Sequence, residues 1–197
     1  MQKIQSGISL IEMLVTLVLL SILVLGVSSI DVFSHYHLFT ADRRAKLQNE
    51  VSYLLEHMAK NLLLAIGNPA LGESVVDTSS PVSGYSSALH VYVDANASGS
   101  RDTDDYWVAY GFNNSVGAVR YCGNCSGNPC TTCNIEWENI STRISSCSWN
   151  YDTSANYINV TVVSCWDLTQ AKYPCNTSNN PQITMNSTIK LPSVATN

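Results

Sequence analysis

The chain has 197 residues, enough for one domain of ordinary size plus an extension, and only 13% of them are charged. Its formal net charge of −5 argues against a nucleic-acid-binding surface, which would normally be basic. The sequence shows no nucleophile–base pairing, His-x-x-His site or glycine-rich phosphate loop, so we do not expect an enzyme.

The first predicted element is a long apolar helix that follows a short leader. From Met13 to Ile30 the sequence contains no charge and no proline, and ~18 helical residues at ~1.5 Å each cross most of a ~30 Å bilayer core. Lys3 precedes this segment, which predicts that the leader stays in the cytoplasm and the C-terminal part lies outside. Glu12 fits neither a secretory signal peptide nor a plain anchor, because a carboxylate beside an apolar helix is costly without a partner.

The segment Gly7-Ile-Ser-Leu-Ile-Glu12 resembles the class III leader of bacterial type IV prepilins and type II secretion pseudopilins. The resemblance implies that a prepilin peptidase removes residues 1–7 by cutting after Gly7, and that Ile8 becomes the N-methylated first residue. It also implies that Glu12 guides assembly. A neighbouring subunit's Glu12 would neutralise the new amine of Ile8, since each charge is costly alone in an apolar phase and tolerable when paired.

The same resemblance implies the partners and the location of the chain. The partners are identical or related pilin subunits in a helical filament, the prepilin peptidase, an inner-membrane assembly platform and the membrane that holds the precursor. The precursor would be a single-pass inner-membrane protein with its head outside the cytoplasm, and the product an extracellular pilus. The alternative role is a minor pilin or type II secretion pseudopilin that primes filament assembly.

The predicted helix continues to about residue 66 but becomes amphipathic after Asp31. We therefore assign residues 8–30 to a transmembrane or filament-core half and residues 31–66 to an amphipathic half. The segment from Leu54 to Ala65 is similar to the stem of PilW-type minor pilins and J-type pseudopilins. Apolar residues recur at spacings of three and four, which predicts packing against the chain's own sheet. They are Leu47, Val51, Leu54, Leu55, Met58, Leu62 and Ala65.

Residues 67–197 are predicted to form a β-rich head. After a loop-like stretch over residues 67–85, five segments have strand composition. They span residues 88–94, 106–112, 118–121, 157–164 and 183–191. One long helix followed by strands predicts an α+β fold, in which the C-terminal half of the helix packs on an antiparallel sheet. The pilin resemblance implies the same α/β-roll.

The loop between the first two predicted strands has the spacing of an EF-hand-type calcium loop. Oxygen-bearing side chains occupy loop positions 1, 3, 5, 9 and 12, and Gly99 occupies position 6. The candidate calcium ligands are Asp94, Asn96, Ser98, Asp102 and Asp105. The alternative is a solvated acidic hairpin turn, because Asp, Asn, Gly and Ser are ordinary turn residues. We expect no other cofactor.

Seven cysteines follow residue 121, and all are disulfide candidates. They are Cys122, Cys125, Cys130, Cys133, Cys147, Cys165 and Cys175. Two C-x-x-C pairs could form a tetrahedral thiolate metal site, but they lie closer together than those of a zinc ribbon. A location outside the cytoplasm favours disulfides. Cys165 and Cys175 flank a short loop that a disulfide could close. Because seven is odd, at least one thiol stays free or pairs between subunits.

Overall fold

The computed structural model describes residues 9–67, 73–80, 82–127, 130–169 and 174–192. Within these ranges one helix, α1 (Leu10–Leu63), precedes nine strands. They are β1 (Val76–Asp77), β2 (Ser87–Val93), β3 (Tyr106–Asn113), β4 (Ala118–Ser126), β5 (Thr132–Cys133), β6 (Glu138–Ser141), β7 (Ile144–Asp152), β8 (Tyr157–Cys165) and β9 (Gln182–Lys190). The chain divides into two compact units, Met1–Asp42 (the stem unit) and Arg43–Asn197 (the head unit). The predicted α+β class is confirmed.

Helix α1 carries hydroxyl side chains within its apolar half without exposing their donors. Ser21 donates to the carbonyl of Leu17 at 2.8 Å, and Ser29 donates to the carbonyl of Leu25 at 2.8 Å. Such bonds to the preceding turn satisfy the hydroxyl inside the helix. The stem can therefore contain serine and still present an apolar outer surface.

The helix ends slightly earlier than the predicted residue 66, because the backbone there pairs with strand β2 instead of continuing the helix. Ala65 forms an isolated antiparallel bridge with Val93 at the end of β2. Ile66 N–H donates to the carbonyl of Tyr92 at 2.9 Å, and Asp94 N–H donates to the carbonyl of Leu64 at 2.8 Å. Pairing with the strand supplies the hydrogen bonds that further helical turns would have made.

The strands form two antiparallel sheets rather than the single predicted one. The first has the order β1-β2-β3-β4-β5, with β6 also pairing with β4, and the second has the order β7-β8-β9. The five predicted segments correspond to β2, β3, β4, β8 and β9, and β4 extends beyond its predicted end to Ser126. Strands β1, β5, β6 and β7 were not predicted, and β1 lies inside the stretch expected to be a loop.

The main core joins the helix to both sheets, as the apolar stripe predicted. All seven residues of the stripe are buried in the head unit. From the first sheet, Leu89, Val91 and Tyr110 belong to the same cluster, and from the second sheet Ile158 and Val160. The C-terminal part of α1 is therefore a core element of the head.

A second, smaller core covers the opposite face of the first sheet. Successive strand residues point to opposite faces, so Tyr92 and Trp107 lie on the reverse side from Val91 and Val108. The second core also contains Ile66, Ala109, Cys122, Cys125 and Cys130. Cystine sulfur thus supplies much of the apolar filling on this side.

Candidate assembly site

The start of α1 is capped by the two polar residues of the predicted assembly segment. Ser9 N–H donates to Glu12 Oε2 at 3.0 Å, and Ile11 N–H donates to Ser9 Oγ at 3.3 Å. This reciprocal pattern is a capping box, in which a serine and a glutamate three residues later satisfy the free amides of the first turn. The Ser-x-x-Glu spacing was readable in the sequence, but the cap was not predicted.

Glu12 therefore has a structural role in the subunit itself. Its carboxylate lies at the N-terminal end of the helix, where the helix dipole favours negative charge. The predicted processing residues Gly7 and Ile8 lie outside the described residues.

The stem unit exposes a large apolar surface. From Leu10 to Phe39, large apolar side chains are 43–84% exposed. Helix α1 contains an 18-residue window with a mean hydropathy of 2.7, none of it buried. By length and composition the helix can cross a membrane. So large an exposed apolar surface marks a site of membrane or protein contact.

Within the head unit, a polar network joins α1 to strand β3. The buried Tyr110 hydroxyl lies 2.8 Å from His57 Nδ1 and donates to the His57 carbonyl at 3.0 Å. Asn61 Nδ2 donates to the same hydroxyl at 2.6 Å. Burial raises the pKa of Tyr110 far above its usual range, so the hydroxyl stays protonated. The network satisfies a polar group that would be costly to bury alone.

A second polar cluster joins α1 to the C-terminal part of the head. Arg143 Nη1 donates to Glu50 Oε1 at 2.8 Å, and its guanidinium lies 4.5 Å from the ring centroid of Trp166. Arg43 lies over the same ring at 5.4 Å and donates to the carbonyl of Asn179. Arginine stacks well on aromatic faces while keeping its hydrogen bonds. These contacts hold the Cys165–Cys175 region against the helix.

The predicted calcium loop is a network of hydrogen bonds between its carboxylates and its own backbone. Asp94 accepts from Ser98 N–H at 3.0 Å and Gly99 N–H at 2.9 Å. Asp105 accepts from Ala95 N–H at 3.1 Å and Asp102 N–H at 2.9 Å. The oxygen donors fit calcium in kind. In the described part of the chain, however, no three His, Cys, Asp or Glu side chains are grouped so as to hold a metal. Calcium would have to share these carboxylates with the loop amides.

The cysteines form three disulfide-bonded pairs. The pairs are Cys122–Cys133, Cys125–Cys130 and Cys165–Cys175, with Cα–Cα distances of 5.9, 5.2 and 5.7 Å. All three distances lie within the usual range for a disulfide. The two C-x-x-C pairs are thus joined as nested disulfides rather than arranged as a thiolate metal site. Cys165 and Cys175 close their loop as expected. Cys147, also a disulfide candidate, is a buried free thiol, which accounts for the odd count.

Comparison with known families gives one match, at the N-terminus. Residues 2–28 match the family model of the prokaryotic N-terminal methylation motif. Comparisons with curated proteins and with solved structures gave no match. The matched residues include Gly7, Ile8 and Glu12 but do not reach Leu54–Ala65, so the similarity to PilW-type stems is not shown. The family that this motif marks is structural, in agreement with the expectation that the chain is not an enzyme. The match supports a class III prepilin leader of the kind that type IV pilin-like subunits carry.

Proposed function

We propose that the chain is the structural subunit of a type IV pilus. The precursor is anchored in the inner membrane with its head outside the cytoplasm. A prepilin peptidase removes residues 1–7, Ile8 is N-methylated, and an assembly platform in the inner membrane inserts the subunit into the filament. The observation that carries this proposal is the exposed apolar surface from Leu10 to Phe39, which begins beside a single carboxylate, Glu12.

The apolar surface of the stem needs a cover at every stage. Burying one Leu, Ile or Val side chain stabilises by about 1.5–3 kcal/mol, so the many exposed side chains of the stem represent tens of kcal/mol. Lipid provides this cover for the precursor. In a filament, the stems of neighbouring copies provide it instead, because a bundle of such helices buries the same surface.

Glu12 sets the register between neighbouring subunits when the stem passes from the membrane into the filament. Cleavage after Gly7 creates an amine on Ile8, one residue before the capping-box residue Ser9. The contact between Glu12 and Ser9 N–H is an ordinary helix cap, and a cationic amine from a neighbouring copy is a stronger partner for the carboxylate. Pairing also removes the cost of holding two isolated charges in an apolar phase. A subunit in the wrong register would leave both charges unpaired.

Substitution of Glu12 tests this proposal in cells that carry the chain. We expect Glu12→Gln to be processed normally and to remain in the membrane, with sheared surface filaments reduced to background, because the amide has no charge to pair with the amine. Thr16→Val is the matched control one turn along the helix, since Thr16 donates only to the carbonyl of Met13 in its own turn. Wild-type filament yield from Glu12→Gln, with Thr16→Val also normal, would contradict the proposal.

The alternative role is a minor pilin or a type II secretion pseudopilin that primes assembly. Such a subunit would use the same leader, stem and glutamate, so the assembly segment favours neither role. Abundance distinguishes them. The main subunit makes up most of the protein in purified filaments, whereas a priming subunit is present at a few copies per filament.

A further inference from the structure

The disulfides of the head unit are not the ones that oxidation in chain order would produce. A chain exported behind its N-terminal helix presents its cysteines to the oxidising side in sequence order. Pairing them as they appear would give 122–125, 130–133 and 147–165, and would leave Cys175 unpaired. The structure contains none of these three bonds.

One of these chain-order bonds is incompatible with the sheets. Cys147 pairs with Val162 in the β7–β8 ladder, so Cys165 lies three residues, or ~10 Å, along the partner strand. A disulfide requires a Cα–Cα distance below ~7 Å. The 147–165 bond, once formed, would have to break before β7 and β8 could pair. The 122–125 and 130–133 bonds would have to break for a different reason, because the folded chain joins Cys122 to Cys133 and Cys125 to Cys130.

The odd number of cysteines provides a means of breaking them. Three disulfides formed among seven cysteines always leave one thiol, whichever bonds form first. As a thiolate it can attack a disulfide, forming a new S–S bond and releasing the other sulfur as a thiolate. The exchange is redox-neutral and can repeat. Only the initial oxidation needs an acceptor. A disulfide-bearing oxidoreductase would take two electrons and two protons for each bond formed and become a dithiol.

The native arrangement ends this exchange. The remaining thiol is then Cys147, which is buried on β7 among the residues of the main core. Burial raises the pKa of the Cys147 thiol to about 12, so hardly any thiolate is present near neutral pH. Cys122, Cys130 and Cys165 are themselves fully buried within their disulfides, out of reach of an attacking thiol.

We infer that the odd thiol, whichever cysteine carries it at a given stage, is an internal exchange nucleophile. The subunit corrects its own disulfides during maturation, and packing of Cys147 into the core stops the reaction. This inference rests on the proposed function only in that the head matures on the oxidising side of the membrane.

The test uses the full chain in detergent micelles. It measures which disulfides form and does not depend on filaments, so it can fail independently of the assembly experiment. Wild type and Cys147→Ala are denatured, oxidised to scrambled three-disulfide mixtures and returned to native conditions at mildly alkaline pH without added thiol. Disulfides are then mapped over time by mass spectrometry of non-reduced peptides. We expect wild type to reach the native set. We expect Cys147→Ala, which has six cysteines and no thiol, to convert at least about tenfold more slowly.

Two further measurements distinguish the loss of the thiol from a change in the packing of the core. A catalytic amount of reduced glutathione should restore conversion of Cys147→Ala to the wild-type rate. Ile144→Val removes one buried methyl group from the same strand, keeps the thiol, and should convert like wild type. Conversion of Cys147→Ala at the wild-type rate without thiol would overturn the inference. Failure of the added thiol to restore it would also do so, because the defect would then be one of packing.

Discussion

Individual side chains in the head unit show how polar groups between the helix and the first sheet find hydrogen-bond partners. His57 is the clearest case, because its imidazole is held between α1 and the first sheet. Its Nδ1 lies 2.8 Å from the Tyr110 hydroxyl, and the Tyr121 ring meets it edge-on at a centroid distance of 4.7 Å. Burial lowers the pKa of His57, and nearby Lys60 lowers it further, while Glu138 acts in the opposite direction. The neutral imidazole is therefore the form that the fold favours.

This preference gives the stability of the head a pH dependence. Because the pKa of His57 is lower in the folded state, its contribution is intact above the unfolded pKa of ~6.5 and is lost as the pH falls through the folded value. We expect the free energy of unfolding of wild type to fall more steeply from about pH 7 to pH 5 than that of His57→Asn. Denaturant unfolding at several pH values measures both slopes. Parallel curves for the two proteins would show that His57 does not titrate with folding.

At the scale of secondary-structure elements, the C-terminal part of α1 is stabilised by its buried stripe. Met58 is completely buried and Leu63 on the same helix is 59% exposed, so the two positions form a matched pair. Met58→Ala should destabilise the head by about 2–5 kcal/mol, since it removes buried side chain and leaves a cavity. Leu63→Ala should change stability by less than about 1 kcal/mol. Denaturant unfolding of both variants measures the difference, and equal losses would contradict the packing described for α1.

The Asp94–Asp105 loop is the element whose calcium binding stays a prediction. If it binds calcium, added Ca²⁺ should raise the melting temperature of the chain over that measured with chelator, and Asp94→Ala should abolish the rise. Asp152→Ala is a suitable control, because Asp152 also accepts from loop amides, those of Ser154 and Ala155. A melting temperature unaffected by calcium, or a rise that survives Asp94→Ala, would assign the loop to an ordinary hydrogen-bonded turn.

The sequence predicted those elements whose pattern is strong and local. The stripe of α1 and the alternation in β8, where Ile158, Val160 and Val162 are buried, were both readable. Strand β7 was not, because Ile144-Ser-Ser-Cys-Ser is mostly polar and a register shift interrupts its alternation. The two-residue strands β1 and β5 are too short to give a pattern. The nested disulfides depend on which strands become neighbours, and the odd thiol is identified only once β7 is placed in the core.

At the scale of the whole chain, the two units differ in how their apolar side chains are kept from water. The head unit has its own core and, on its reverse face, a second core held by disulfides. Among the described residues, the large apolar side chains of the stem unit from Leu10 to Phe39 are 43–84% exposed. Under the proposed function, such a subunit is incomplete alone and depends first on a membrane and then on copies of itself. The stem would then provide assembly, and the head would provide the surface that the filament displays.

The proposed function depends above all on removal of residues 1–7 by a cut after Gly7, after which the stem enters the filament. The most direct measurement is the N-terminal mass of the subunit from purified surface filaments, with Ser6→Ala as a control and Gly7→Val as the test. We expect wild-type and Ser6→Ala filaments to contain a chain that begins at N-methylated Ile8. We expect Gly7→Val cells to retain the full-length precursor in the membrane and to make no filaments. Filaments built from a chain that keeps residues 1–7 would contradict the account.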